Sequence, residues 1–394
     1  MQSEMSTLNN SSHRPAATDG RRRSSSSNAQ TSTRMKCFVR SILLCLAIAI
    51  LSIFQSPGRI HQNLPLDIQV KIDDSIITRP LQPRRTRIQG LDHFYLFPPA
   101  NATSDGKPKG VLLHLHSCKE SGLDFFTLPE HRIVAYEAIQ KGLVVFSPTS
   151  YDRNSGCYTS EDANGLLKKI FTEFLRKTKL RPLPRIGLGH SSGGTFLAYI
   201  QDKLNLQSMA LYNSPEDYGV MHSKNDTLIP TVYITMSPDA SVSNRMNDNL
   251  KRLQDRNITS HLYKVTPKPF TEKLCVARLP ELKKGFCADM FSSIKSEKAY
   301  SGLLDANEYV LEGDVTTKQW QDLFEFLELG YQGFCPIDET DSIPYYNDDD
   351  DKKSICWMRF ALEQEIKTCY GYHAMTSQNH NEIINFLVSN SEMK

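Results

Sequence analysis

Short apolar runs that alternate with amphipathic stretches constrain the fold of this chain more than any other feature. The runs are rich in Val, Ile and Leu and are bounded by turn residues. They span residues 110–116, 142–147, 185–189, 208–212 and 231–236. Continuous apolar runs of this length are typical of strands that are covered on both faces, as in parallel sheets. Residues 130–141 and 164–179 place apolar side chains at helical spacing between them. The alternation predicts an α/β fold with a doubly wound, mostly parallel sheet.

The sequence GHSSGG, at residues 189–194, lies between the third apolar run and a helical stretch at residues 195–204. It matches the pattern G-x-S-x-G, in which the serine occupies a sharp strand-to-helix turn. Such a turn holds the Ser191 hydroxyl at the edge of the sheet, beside the free amides of a helix N-terminus. The amide of Ser192 would face the oxyanion that forms on a bound carbonyl. A Gly/Ser-rich turn without chemistry is the alternative interpretation of the same pattern.

On this motif and its setting, residues 86–270 and 369–394 resemble an α/β-hydrolase. The resemblance implies a nucleophile, an acid and a histidine in that order along the chain. The acid would be Asp239, three residues beyond the run that ends at residue 236, and the base would be His373. The imidazole would take the proton of the Ser191 hydroxyl, and the carboxylate would orient the imidazole.

Alternatives remain for two of these positions. Asp239 also fits a turn-forming residue, because Asp side chains often accept hydrogen bonds from their own turn. His380 is a second possible base, although it lies inside the last predicted helix. That helix would start near Ser377 as its N-cap. His190 stands at the variable position of the motif, and we expect no role for it.

The resemblance also places a second oxyanion donor in the loop after the first apolar run. Ser117 stands where many relatives have glycine, so the amide of Cys118 is the first candidate and that of Ser117 the second. Cys118 is also a candidate to form a disulfide with Cys157, which would connect this loop to the loop at residues 151–160.

Residues 271–368 break the alternation and predict a helical insertion or cap, with helices at 282–290, 318–329 and 355–366. The cysteines show no CxxC or Cys/His spacing, so no zinc site is predicted. The sequence Asp-Ala-Asn at residues 305–307 lacks the glycine and downstream ligands of an EF-hand loop. We expect neither a metal nor a cofactor.

The N-terminal segment predicts a membrane anchor. Residues 1–40 are rich in Ser, Thr and Arg and predict a disordered tail, and residues 59–85 predict a polar stalk. Residues 41–58 carry no charge and are just long enough to cross a thin bilayer. Basic residues crowd the N-terminal side of this segment, so the positive-inside rule predicts a cytosolic tail and a lumenal or extracellular body. A cleaved signal peptide and an organelle transit peptide are the alternatives.

Other features agree with a lumenal or extracellular body. Three glycosylation sequons begin at Asn101, Asn225 and Asn257. Seven of the nine cysteines follow the predicted anchor, which makes disulfides plausible in an oxidising compartment. The net charge of the chain is only +2 and its basic excess lies mainly in the tail, which argues against nucleic acid as a partner.

Together these features predict a membrane-anchored serine hydrolase that cleaves a small-molecule carboxylic ester through an acyl-enzyme. A lumenal serine peptidase is one alternative, because the GxSxGG form also occurs in prolyl-oligopeptidase-like enzymes. An acyltransferase is another, since only the exclusion of water separates transfer from hydrolysis. A catalytically inactive fold that acts as a binding module is the third, because fold does not establish function. The sequence predicts neither the substrate nor the oligomeric state.

Overall fold

A computed structural model describes residues 80–214, 228–282, 284–331 and 357–392. The predicted tail, the predicted anchor at 41–58, most of the predicted stalk and Asn225 lie outside the described residues. Within the described ranges, no helix combines the length and the apolar character needed to cross a membrane.

One eight-stranded sheet forms the centre of the body, in the order β1-β2-β4-β3-β5-β6-β7-β8. The strands are β1 (Arg84–Ile88), β2 (Leu91–Leu96), β3 (Gly110–Leu115), β4 (Leu143–Pro148), β5 (Arg185–His190), β6 (Ser208–Tyr212), β7 (Thr231–Met236) and β8 (Ser260–Val265). All neighbouring pairs from β4 to β8 are parallel, whereas β1 and β2 pair antiparallel with each other and β2 pairs antiparallel with β4. The predicted, mostly parallel sheet is therefore confirmed.

The antiparallel hairpin of β1 and β2 was not part of the predicted sheet. Its first strand reads RRTRI and begins at Arg84, inside the predicted stalk. The turn is formed by Gln89 and Gly90, which have φ values of 55° and 80°. Two residues with positive φ give a turn whose twist matches that of the flanking strands. The hairpin lies at the edge of the sheet, where charged side chains are tolerated.

Ten α-helices occur in the described residues. They are α1 (Asp124–Thr127), α2 (Pro129–Gln140), α3 (Leu167–Lys177), α4 (Ser192–Leu204), α5 (Ala240–Gln254), α6 (Glu272–Arg278), α7 (Phe286–Ser296), α8 (Lys318–Gly330), α9 (Trp357–Tyr370) and α10 (His380–Glu392). Short turns of 3₁₀ and π type occupy Ala100–Ala102 and Asp162–Leu166.

Two apolar cores lie on opposite faces of the sheet. Successive residues of a strand point to opposite faces, so Leu113 packs in the core that includes α3, α4 and α5. Its neighbour Leu112 packs in the core that includes α2 and α10. Both side chains have no exposed surface. The result is the three-layer arrangement expected for strands that are apolar throughout.

The insertion has an apolar core of its own, centred on residues such as Trp320, Phe291 and Leu362. A disulfide between Cys275 and Cys287 connects α6 to α7.

Three predicted helices have different boundaries in the structure. The helix expected at 355–366 continues to Tyr370. The helix expected at 282–290 spans Phe286–Ser296, because Gly285, with a φ of 91°, directly precedes it. The last helix begins at His380 and not near Ser377, since residues 378 and 379 form a turn in which Asn379 has a φ of 59°.

Candidate active site

The strand-to-helix turn at Ser191 has the sharp geometry that the sequence predicts. Ser191 has a φ of 51° and a ψ of −118°, and its amide donates to the carbonyl oxygen of Tyr212 at 2.9 Å. A β-carbon at Gly189 would lie 2.5 Å from the Cα of Gly194. One at Gly193 would lie 2.3 Å from the carbonyl oxygen of Leu115. Side chains at these glycines would collide with backbone, so the turn depends on both of them.

The structure brings Ser191, His373 and Asp239 together at the carboxyl ends of the strands. The distance between Ser191 Oγ and His373 Nε2 is 2.7 Å, which is a hydrogen bond. On the other side of the ring, His373 Nδ1 lies 3.7 Å from Asp239 Oδ2, close enough for electrostatic attraction but longer than a hydrogen bond. The three side chains come from the ends of β5 and β7 and from the loop before α10. Chemically, such an arrangement can provide a nucleophile, a base and an orienting acid.

The local environment favours a neutral imidazole at His373. Burial and the neighbouring ring of His190 lower the pKa of His373, while Asp239 opposes the shift. A neutral ring can accept the serine proton, whereas an imidazolium cannot. Asp239 also accepts a hydrogen bond at its Oδ1 from the amide of Val242 at 3.0 Å, which caps α5. Asp239 therefore lies beside the imidazole and also forms a turn, so the structure is compatible with both interpretations of this position.

Asn213, at the end of β6, connects the acid and base segments and was missed by the sequence analysis. Its side chain is buried, donates from Nδ2 to the carbonyl oxygen of Ala374 at 2.8 Å, and accepts at Oδ1 from the amide of Met236 at 3.1 Å. Ala374 follows His373, and Met236 ends the strand that leads to Asp239. The sequence signal that could have identified Asn213 is its place as a polar residue directly after the apolar strand β6.

Glu130, in the first turn of α2, holds the loop that follows His373. Its carboxylate accepts hydrogen bonds from the amide of Ser377 and, at 3.5 Å, from the hydroxyl of Thr376. It also lies 2.9 Å from Lys268 Nζ and 3.5 Å from the guanidinium of Arg278. These two cations outweigh the effect of burial and keep the pKa of Glu130 below its usual range.

The two loops near the proposed oxyanion position are joined covalently. A disulfide connects Cys118 and Cys157, and the amide of Lys119 donates to the carbonyl oxygen of Ser155 at 2.8 Å. The amide of Ser117 donates to Glu120 Oε2 at 3.1 Å, which favours Cys118 over Ser117 as the oxyanion donor. Ser192 is the first residue of α4, where helix amides lack intrahelical partners.

The remaining predicted positions lie as follows. His380 Nδ1 lies 2.7 Å from the carbonyl oxygen of Ser377, while His373 contacts the nucleophile. Asn101 and Asn257 are exposed. His190, for which no role was expected, is buried, and its Nδ1 lies 3.7 Å from Glu120 Oε1.

Comparisons with known proteins give only distant similarities. No family model matches the chain, and no curated protein matches it. Among solved structures, dienelactone hydrolase from Anabaena variabilis is similar, with 18% identity, a TM-score of 0.33, and coverage of 48% of this chain and 88% of that chain. FphF, a fluorophosphonate-binding serine hydrolase of Staphylococcus aureus, has 12% identity, a TM-score of 0.34, and coverage of 47% and 89%. S-formylglutathione hydrolase from Staphylococcus aureus has 13% identity, a TM-score of 0.34, and coverage of 47% and 87%. Similarities this distant say nothing about the substrate or about the roles of residues in this chain.

The class of the protein follows from its own topology. The strand order, with an antiparallel hairpin followed by six parallel strands, and the strand-turn-helix at Ser191 together define an α/β-hydrolase fold.

Proposed function

We propose that this protein is a serine hydrolase that cleaves carboxylic esters through an acyl-enzyme intermediate. The observation that carries the proposal is the hydrogen bond of 2.7 Å between Ser191 Oγ and His373 Nε2, with Asp239 on the far side of the ring. A serine hydroxyl becomes a useful nucleophile only when a neutral base can take its proton.

The reaction has two steps. Ser191 Oγ attacks the ester carbonyl carbon while His373 Nε2 takes the hydroxyl proton, and the amides of Ser192 and Cys118 stabilise the oxyanion. The C–O bond to the alcohol then breaks, and His373 returns the proton to the leaving oxygen. A water molecule attacks the acyl-enzyme, His373 takes its proton and returns it to Ser191, and the carboxylic acid leaves. Asp239 stabilises the imidazolium that forms in each step.

A fluorophosphonate probe tests the enzymatic proposal directly, because it reacts with an activated serine. We expect labelling of the native protein and hydrolysis of a p-nitrophenyl ester. Ser191→Ala should abolish labelling and lower kcat/KM by at least about 10⁴-fold, and His373→Ala should do nearly the same. Ser296→Ala changes an exposed serine at the end of α7 and is the matched control, which should label normally.

Folded protein that neither labels nor cleaves the ester would contradict the proposal and favour a binding module. Circular dichroism and an intact Cys118–Cys157 disulfide would establish that the unlabelled protein is folded.

The membrane anchor and the lumenal or extracellular body are part of the same proposal. Two disulfides in the described body support an oxidising compartment, and the exposed positions of Asn101 and Asn257 are compatible with glycosylation. In a eukaryotic host, we expect glycosidase treatment to increase the gel mobility of the protein. That change should be smaller for Asn257→Gln. Recovery of the protein in the soluble fraction after alkaline extraction would contradict the anchor.

A further inference from the structure

A buried cluster of Glu120, His131 and His190 lies beneath the proposed nucleophile. Glu120 comes from the loop after β3, His131 from the first turn of α2, and His190 from the last position of β5. The side chains of the three residues are only 2–3% exposed. Three separate elements therefore direct polar side chains at one buried point.

Several polar atoms in this cluster lack an adequate partner. Nε2 of His131 and both ring nitrogens of His190 are buried and have no hydrogen-bond partner. Glu120 Oε2 lies 3.5 Å from His131 Nε2, and Glu120 Oε1 lies 3.7 Å from His190 Nδ1. These distances exceed those of N–H···O hydrogen bonds, which are about 2.7–3.2 Å. Buried polar groups without partners are rare and call for a physical cause.

The spacing of the three side chains fits a bound metal ion. Nitrogen and oxygen ligands lie about 2.0–2.2 Å from zinc, so ligand atoms at tetrahedral angles are about 3.4 Å apart. His131 Nε2 and His190 Nδ1 lie 3.5 and 3.7 Å from different oxygens of Glu120, and both distances are within a few tenths of an ångström of this value. One ligand atom from each residue can be chosen so that all three lie within 4.8 Å of one another.

The donor types narrow the choice of metal. Two imidazoles and one carboxylate suit zinc and neighbouring divalent transition metals, whereas calcium and magnesium prefer ligands that are all oxygen. We propose that Glu120, His131 and His190 bind one divalent transition-metal ion. Their donor types favour zinc. No spacing pattern in the sequence indicates this site, because the ligands are separated by 11 and 59 residues along the chain.

Such an ion would connect the loop that carries Cys118 to the turn that carries Ser191. Glu120 Oε2 already accepts a hydrogen bond from the amide of Ser117, and His190 directly precedes Ser191. Zinc would thus fix the separation of these two segments without contacting substrate. Because its ligands are buried, the ion would enter while the chain folds.

Metal analysis of the full chain, produced without a polyhistidine tag, tests the proposal independently of any hydrolase activity. With zinc in the culture medium, we expect about one zinc ion per native chain and at least a tenfold loss in Glu120→Gln and His131→Gln. His261→Gln changes an exposed histidine on β8 and is the matched control, which should retain the metal.

A second measurement covers the case in which a variant folds poorly. Native protein produced with zinc should melt at a higher temperature than native protein produced in zinc-depleted medium, because an ion that binds only the folded state stabilises it. Cobalt(II) incorporated in place of zinc should give visible absorption bands that Glu120→Gln lacks. The site would be refuted if folded native protein held no more metal than Glu120→Gln and melted at the same temperature after production in either medium. Glu120 and the two histidines would then form a metal-free network.

Discussion

The backbone at Ser191 should store measurable strain, and replacing the residue by glycine should release it. Ser191 has a φ of 51° and a ψ of −118°, a conformation that L-residues rarely adopt and that glycine adopts easily. Strain of this kind costs about 1–3 kcal/mol at a non-glycine residue. Glycine also loses more entropy on folding, by about 0.5–1 kcal/mol relative to alanine. Ser191→Gly should therefore be more stable than Ser191→Ala by about 1 kcal/mol at the middle of these ranges, and by at most about 2.5 kcal/mol.

This pair of variants isolates the backbone, because both lack the hydroxyl and its hydrogen bond to His373. At about 2 °C per kcal/mol for a domain of this size, Ser191→Gly should melt about 2 °C, and at most about 5 °C, above Ser191→Ala in differential scanning calorimetry. The matched pair is Ser192→Gly and Ser192→Ala. Ser192 is the first residue of α4 and has no positive φ. The Ser192→Gly variant should therefore be no more stable than the Ser192→Ala variant. If Ser191→Gly were less stable than Ser191→Ala by about 0.5–1 kcal/mol, which is the entropy cost of glycine alone, the turn would carry no strain and this reasoning would be wrong.

Three further predictions concern titration and positioning. Since burial lowers the pKa of His373, the acid limb of kcat/KM for ester hydrolysis should have its midpoint below the ordinary value of 6.5, and a midpoint above 6.5 would contradict the assigned base. Burial raises the pKa of Glu365 from 4.5 to about 7. Protonation of this carboxyl therefore stabilises the folded state fully below pH 4.5, and this stabilisation is lost as the pH rises through 7. Relative to Glu365→Gln, the native protein should lose about 3 kcal/mol of unfolding free energy across that interval in urea titrations, and parallel pH profiles would contradict the raised pKa. Asn213→Ala should lower kcat by about 10–100-fold with little change in KM, because it loosens the segments of Asp239 and His373; a change confined to KM would argue against positioning.

The sequence predicted the sheet because its central strands are apolar on both faces. Leu112 and Leu113 of β3 point to opposite cores, and both are fully buried. Burial on both faces therefore produces a continuous apolar run along the strand. The edge hairpin was not predicted, because its first strand, RRTRI, is mostly exposed and has no apolar pattern. Burial, and not strand formation itself, is what an apolar run signals.

The candidate site was predictable to different degrees for different residues. The signal for Ser191 is local, because the glycines that the turn requires lie within three residues of it. His373 has no local signature, and its assignment depended on the order of residues in a family. Asn213 and the Glu120 cluster belong to networks that exist only after distant segments meet. The sequence shows that such residues are polar, but not which partners they contact.

An insertion of about one hundred residues precedes His373, yet the structure gives a reason why the base is not displaced. The insertion leaves and returns at the same place, since the amide of Lys268 donates to the carbonyl oxygen of Cys369 at 2.9 Å. Glu130 contacts both ends, through Lys268 on one side and the amide of Ser377 on the other. Once these ends are joined to α2, the entropy of closing the intervening segment grows only slowly with its length. The helices of the insertion can therefore vary in size and sequence while the imidazole stays within hydrogen-bonding distance of Ser191.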